Sequence, residues 1–159
     1  MCGSTLLVNH TLDPTTESCP ITVRPPKIVA LAKRCLSKLR RAFPGTYELV
    51  YNYSTSLVVA FGRSERGYEA IVAVAIFPRW VRLYFDKSLP DPKGLLEGSG
   101  ARVRSVTLKT VSGVDHEDIK ALIRAAIKHS GVTFPRTGST RMIIKSEAKK
   151  RRPRSTGHA

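Results

Sequence analysis

A chain of 159 residues, 42% hydrophobic and 25% charged, can build one packed domain with tails and is too apolar for wholesale disorder. No run of about 18 apolar residues occurs, so no membrane-spanning helix is predicted and a membrane partner is not expected. Its 27 Lys and Arg against 12 Asp and Glu leave a net +15, a balance that bears on partners and solubility rather than on fold.

In chain order, residues 1–24 are rich in Thr, Ser, Asn and Pro without periodicity and read as a mobile leader. The first twenty carry Asp13 and Glu17 and no base, unlike a secretory signal, and Gly3 does not sit where myristoylation needs a glycine. Cys2, Cys19 and Cys35 cannot all pair within the chain and have no zinc spacing, so the expected compartment is a reducing cytoplasm.

Pro25-Pro26 opens a helix. Ile28, Ala32, Cys35, Leu36, Leu39 and Phe43 recur at helical spacing along it, Arg40 and Arg41 suit its last turn, and Pro44-Gly45 ends it. Four strand-like runs follow. In 47–53, Tyr47, Leu49, Tyr51 and Tyr53 alternate with Glu48, Val50 and Asn52. Residues 56–61 are β-branched and aromatic, and 62–67 form a charged turn. Residues 69–77 are apolar on both sides, which predicts a central strand with something packed over Ala73 and Ala75. In 80–85, Val81, Leu83 and Phe85 point one way and Trp80, Arg82 and Tyr84 the other. A long loop spans 87–100, with a helical turn at 93–97. Residues 103–110 read as a fifth strand. Asp115 is expected to cap a second helix, with Asp118 completing a capping box and Ile119, Leu122, Ile123, Ala126 and Ile127 as its buried stripe. Ser130-Gly131 stops it. From Arg136 onward the residues are Gly, Ser, Thr and bases, read as disordered.

This order predicts an α+β fold: an antiparallel sheet of about five strands with two main helices on one face and disordered termini. The leader would be 1–24, the domain 25–135 and a basic tail 136–159. The domain segment 21–135 holds 19 bases and 9 acids, and 136–159 holds 8 bases and Glu147. The body itself is therefore basic.

The run Ala75-Ile76-Phe77-Pro78-Arg79-Trp80-Val81-Arg82-Leu83-Tyr84-Phe85 resembles the sheet hairpin of the YdhG-like family of small domains. The likeness continues through Gly94-Leu95-Leu96-Glu97-Gly98, residues 103–109 and residues 119–127, and covers roughly 27–130. It implies an antiparallel sheet with helices on one side. Some relatives are described as frataxin-like iron chaperones with acidic surfaces. Here the sole acidic cluster is Asp115, Glu117 and Asp118, and no reaction can be carried over to a residue of this chain.

Two basic constellations stand out. One is the tail set Lys149, Lys150, Arg151, Arg152 and Arg154, preceded by Arg136, Arg141 and Lys145. Such polycations bind phosphate backbones by releasing counterions, or simply keep a protein dissolved. The other is the stripe Arg79, Trp80, Arg82 and Tyr84, with Tyr51 and Tyr53 near. Aromatics interleaved with arginines can stack bases and pair phosphates, or pack beneath a helix with the arginines at the rim.

A metal reading of His116 with Asp115, Glu117 and Asp118 is disfavoured, because adjacent helical residues splay to different faces and His129 lies thirteen residues on. No nucleophile elbow, phosphate-binding P-loop or zinc-protease motif occurs, so no catalytic residue and no cofactor are expected. The expectation is a noncatalytic accessory module that binds nucleic acid or another polyanion. The alternatives are a frataxin-like metal carrier and a small-metabolite binder.

Overall fold

The computed structural model describes residues 24–146. Helix α1 (Pro26–Ala42) begins with Pro25 at its N-cap and ends with Arg40 and Arg41 in its last turn. Its predicted stripe is buried, Phe43 lying just beyond the helix end, and Leu31 joins it. Gly45, at φ 72°, turns the chain into β1 (Tyr47–Asn52). Strands β2 (Leu57–Gly62), β3 (Ala70–Ile76) and β4 (Val81–Asp86) follow through short connections. A loop leads to β5 (Val103–Leu108), and a 3-10 turn (Val111–Asp115) leads to α2 (Glu117–Ser130), which stops at left-handed Gly131. The chain then forms β6 (Arg141–Ser146).

The sheet has six strands in the order β5-β4-β3-β2-β1-β6. Neighbours from β1 to β5 are antiparallel, but β6 runs parallel to β1. The expectation of about five wholly antiparallel strands is therefore corrected. Residues 141–146, assigned to the tail by their bases, carry the apolar triplet Met142-Ile143-Ile144, which suits a strand. Their direction follows from the crossover: the chain leaves β5 at one edge, passes through α2 and enters the other edge beside the start of β1. There the Arg141 N–H donates to the Thr46 carbonyl at 3.0 Å.

Registration divides the sheet into two faces. Leu57, Val59 and Phe61 of β2 align with Val72, Val74 and Ile76 of β3 and with Val81, Leu83 and Phe85 of β4. These nine share one core cluster with the buried stripes of α1 and α2, so both helices cover the same face. Phe43 lies between Phe61 and Phe134, edge-on to the latter at 5.5 Å. Cys35 is fully within this cluster, and burial pushes its thiol up to about 12, so it is an inert core residue.

On β1 the inward positions include Glu48, which is wholly buried. Arg40 reaches it from α1, donating from Nε to Oε1 at 2.6 Å and from Nη2 to Oε2 at 2.9 Å. This bidentate bond raises the Arg40 pKa further. It lets a carboxylate sit inside the fold, and it locks the end of α1 onto the first strand.

Two local expectations are also corrected. Asp115 does not cap α2. Its carboxylate instead accepts from Arg34 and Lys38 of α1, and the cap is His116, whose Nδ1 accepts from the Asp118 N–H at 3.3 Å. The loop after β4 has no helical turn, because the Asp91 carboxylate takes the N–H groups of Leu95 and Leu96 at 2.9 and 2.8 Å, offering the backbone an alternative to helix. Buried Leu89 and Leu96 anchor that loop to the core.

Candidate nucleic-acid interface

Among the described residues, no helix packs on the second face of the sheet. Pairing places Leu49, Ala60, Ala73 and Tyr84 in one row across β1 to β4, and Tyr51, Val58, Ala75 and Arg82 in the next. Leu49, Ala60 and Ala75 are buried outside the main core cluster, so this face is covered at those positions. Among the described residues the cover over Ala75 is not a helix. Ala73 is instead part of the floor of an open groove of about 1210 Å³.

That groove has Val58, Ala60 and Ala73 at its base and tyrosines around it: Tyr51, Tyr53, Tyr68 and Tyr84. The rings of Tyr51 and Tyr53 lie parallel, with centroids 6.1 Å apart, as strand alternation allows for residues two apart. Tyr53 is 50% exposed and Tyr68 is 73% exposed. The Tyr51 hydroxyl packs onto Gly67, where any side chain would collide with it. Lys87 and Arg102 border the groove at the β4–β5 end, with Asp86 beside them.

Both faces carry paired and unpaired bases, and near the groove Arg63 and Arg66 face Glu69. On the helix side, Asp115 binds Arg34 and Lys38, Glu48 binds Arg40, Asp118 binds Lys93, and Glu117 binds Lys120 and Arg124. Lys38 and then Arg34 hold the Asp115 carboxyl below its ordinary value, Lys120 does so for Glu117, and Lys93 for Asp118. Around the open face, Arg79, Arg82, Lys87, Arg102, Lys109 and Arg141 have no carboxylate in ion-pair range among the described residues. Lys27, Lys33 and Arg41 on α1 are likewise unpaired and exposed.

The predicted stripe is split by the structure. Arg82 and Tyr84 both lie on the open face, and Arg82 is steadied by donation from Nε to Thr107 Oγ1 at 3.1 Å, leaving its outer nitrogens toward solvent. Tyr84 alone of the four lines the groove. Arg79 is exposed in the β3–β4 turn, where Trp80 packs on Phe77 with centroids 5.9 Å apart. Neither residue packs beneath a helix core. Tyr51 and Tyr53 join Tyr84 at the groove, whereas Arg141 covers the Tyr47 ring at 5.9 Å. The tail residues Lys149, Lys150, Arg151, Arg152 and Arg154 lie outside the described residues. Tyr68, in a 3-10 turn, and Lys87 and Arg102, in loops, were missed because they stand outside the strands, and only the strand pairing brings them to one edge of the groove.

The acidic cluster has little capacity left for a metal, since Asp115, Glu117 and Asp118 each face a lysine or arginine. No group of three His, Cys, Asp or Glu among the described residues is arranged to hold an ion. A smaller cavity of about 380 Å³ lies at the end of α2, and Asp86 and His129 line it. The Ser88 hydroxyl bonds to Asp86 and lies 2.8 Å from His129 Nε2. Hydrogen bonds from Ser88, side chain first and then backbone, hold the Asp86 carboxyl below its ordinary value. An ionised carboxylate only accepts, so the hydroxyl proton points at Asp86 and not at the imidazole. A nucleophilic triad needs the reverse, with the carboxylate on the far imidazole nitrogen.

No family model, curated protein or solved structure matches this chain. No helix among the described residues is long and apolar enough to cross a membrane.

Proposed function

We propose that the chain is a noncatalytic accessory module of the YdhG-like kind that binds nucleic acid through the face of its sheet opposite α1 and α2. The observation that carries this reading is a set of unpaired bases beside a groove lined by tyrosines. Arg63 and Arg66 pair with Glu69 near one end of the groove, while Arg82, Lys87 and Arg102 remain available to an external anion. Phosphate is the anion that a multivalent, spatially extended basic rim suits best, because each contact releases condensed counterions. Arg82 adds a fixed geometry, since one nitrogen is anchored and the rest of the fork is free to engage a phosphate oxygen. The bases of 149–154 would add to this through charge alone.

The salt dependence of binding tests the reading. For the full chain and a labelled single strand of about 12 nucleotides, log K should fall linearly with log salt. Each phosphate contact contributes a slope of about 0.7, so a slope magnitude of about 2 or more is expected. A flat dependence, or no binding at low salt, would reject nucleic acid as the partner.

A further inference from the structure

Within that reading, we propose that the groove selects single-stranded nucleic acid by stacking its bases on Tyr53 and Tyr84, with the strand crossing the sheet from β1 toward β5. Three features of the groove support this occupant. First, the floor between the two tyrosines is made of Val58, Ala60 and Ala73, side chains short enough for a flat ring to approach the sheet. Second, β1 and β4 are three interstrand steps apart, about 14 Å, which spans a few nucleotides rather than one. Third, the basic groups Lys87 and Arg102 border the groove near Tyr84, with Arg82 in the neighbouring row. Phosphates can therefore be held there while bases face the tyrosines.

A duplex suits this surface poorly. Its bases are already stacked, and reading them requires a helix or ribbon that enters a groove about 12 Å wide. This face is a recess and offers neither. Tyr53, by contrast, is half exposed and Tyr84 partly exposed, and an unpaired base can cover the ring surface they present. Because every base has such a face, the selection is for strandedness and not for sequence.

Binding of the full chain to three labelled probes tests the inference: a 12-nucleotide DNA or RNA single strand, the same backbone with abasic sites, and a 12-base-pair duplex. The base-bearing strand should bind roughly 5- to 100-fold more tightly than the abasic one. Tyr53→Ala combined with Tyr84→Ala should erase that difference while leaving abasic binding unchanged. Tyr84→Phe, which keeps the ring, should retain it, and the unchanged abasic binding of the alanine form shows that form to be folded. Equal binding of base-bearing and abasic strands, or preference for the duplex, overturns the stacking inference and leaves phosphate binding standing. Failure of all three probes to bind overturns both.

Discussion

Arg40→Ala is expected to lower the unfolding free energy by about 2–4 kcal/mol, read as a fall in urea midpoint at unchanged slope. The Glu48 side chain is 1% exposed, and both its oxygens depend on this one guanidinium. Removing the arginine strands a carboxylate beneath α1, where breaking a buried pair costs roughly 3–5 kcal/mol. The Arg40 side chain is itself 43% exposed, so water can reach the vacated site and the lower part of the range applies. Glu48→Gln should cost less, because an amide tolerates burial better than a charge. The paired change Arg40→Leu with Glu48→Leu should recover much of the loss. An Arg40→Ala effect below about 0.5 kcal/mol would mean that the pair does not hold α1 to β1.

The second large effect concerns binding. Arg82→Gln, Lys87→Gln and Arg102→Gln together remove three positive charges from the groove face. They should reduce affinity for a single strand by roughly 10²-fold at physiological salt and lower the salt slope by about 2. The informative control is Lys27→Gln, Lys33→Gln and Arg41→Gln, an equal charge change made on exposed, unpaired residues of α1. If net charge alone drives binding, the two triple variants weaken it equally. If the open face is the site, the α1 variant keeps most of the affinity, apart from a modest loss of long-range attraction. Thermal or urea unfolding of both variants should stay close to that of the parent, since none of the six is ion-paired and only Arg82, with its bond to Thr107, is partly buried.

Much of the architecture was legible because periodicity reports burial directly. Both helical stripes, the first five strands and the inward set Val81, Leu83 and Phe85 follow from spacing alone, and the structure buries both stripes and that set, with Ile127 only partly covered. The reading failed where a long-range partner decided the outcome. Glu48 lies on the inward face of β1 although the alternate set, Tyr47, Leu49 and Tyr51, is the more apolar one. Only the arrival of Arg40 from α1 makes that burial tolerable. Asp115 looked like a helix cap from its local sequence, but Arg34 and Lys38, some eighty positions away, claim its carboxylate. β6 escaped notice because its flanking bases and the glycine-rich stretch before it masked a three-residue apolar centre. Parallel pairing with β1 could not be inferred without knowing where α2 leaves the chain.

The candidate site was half legible for a similar reason. Arg82, Tyr84, Tyr51 and Tyr53 were recognisable as alternating strand residues, and the fold does bring the three tyrosines to one groove. Trp80 was grouped with them by the same alternation, but it falls in the turn and uses its ring on Phe77. Which face would be left without a helix was not readable. Both faces of β3 are apolar, and its alanines suit an open floor as well as a covered one.

Amide chemical-shift mapping of the full chain titrated with a 12-nucleotide single strand tests the central claim most directly. The account predicts shifts concentrated in β1, β2, β4 and the loops bearing Tyr68, Lys87 and Arg102, with the amides of α1 and α2 little changed. Shifts confined to the helices, or to residues 147–159 with the sheet untouched, would contradict it.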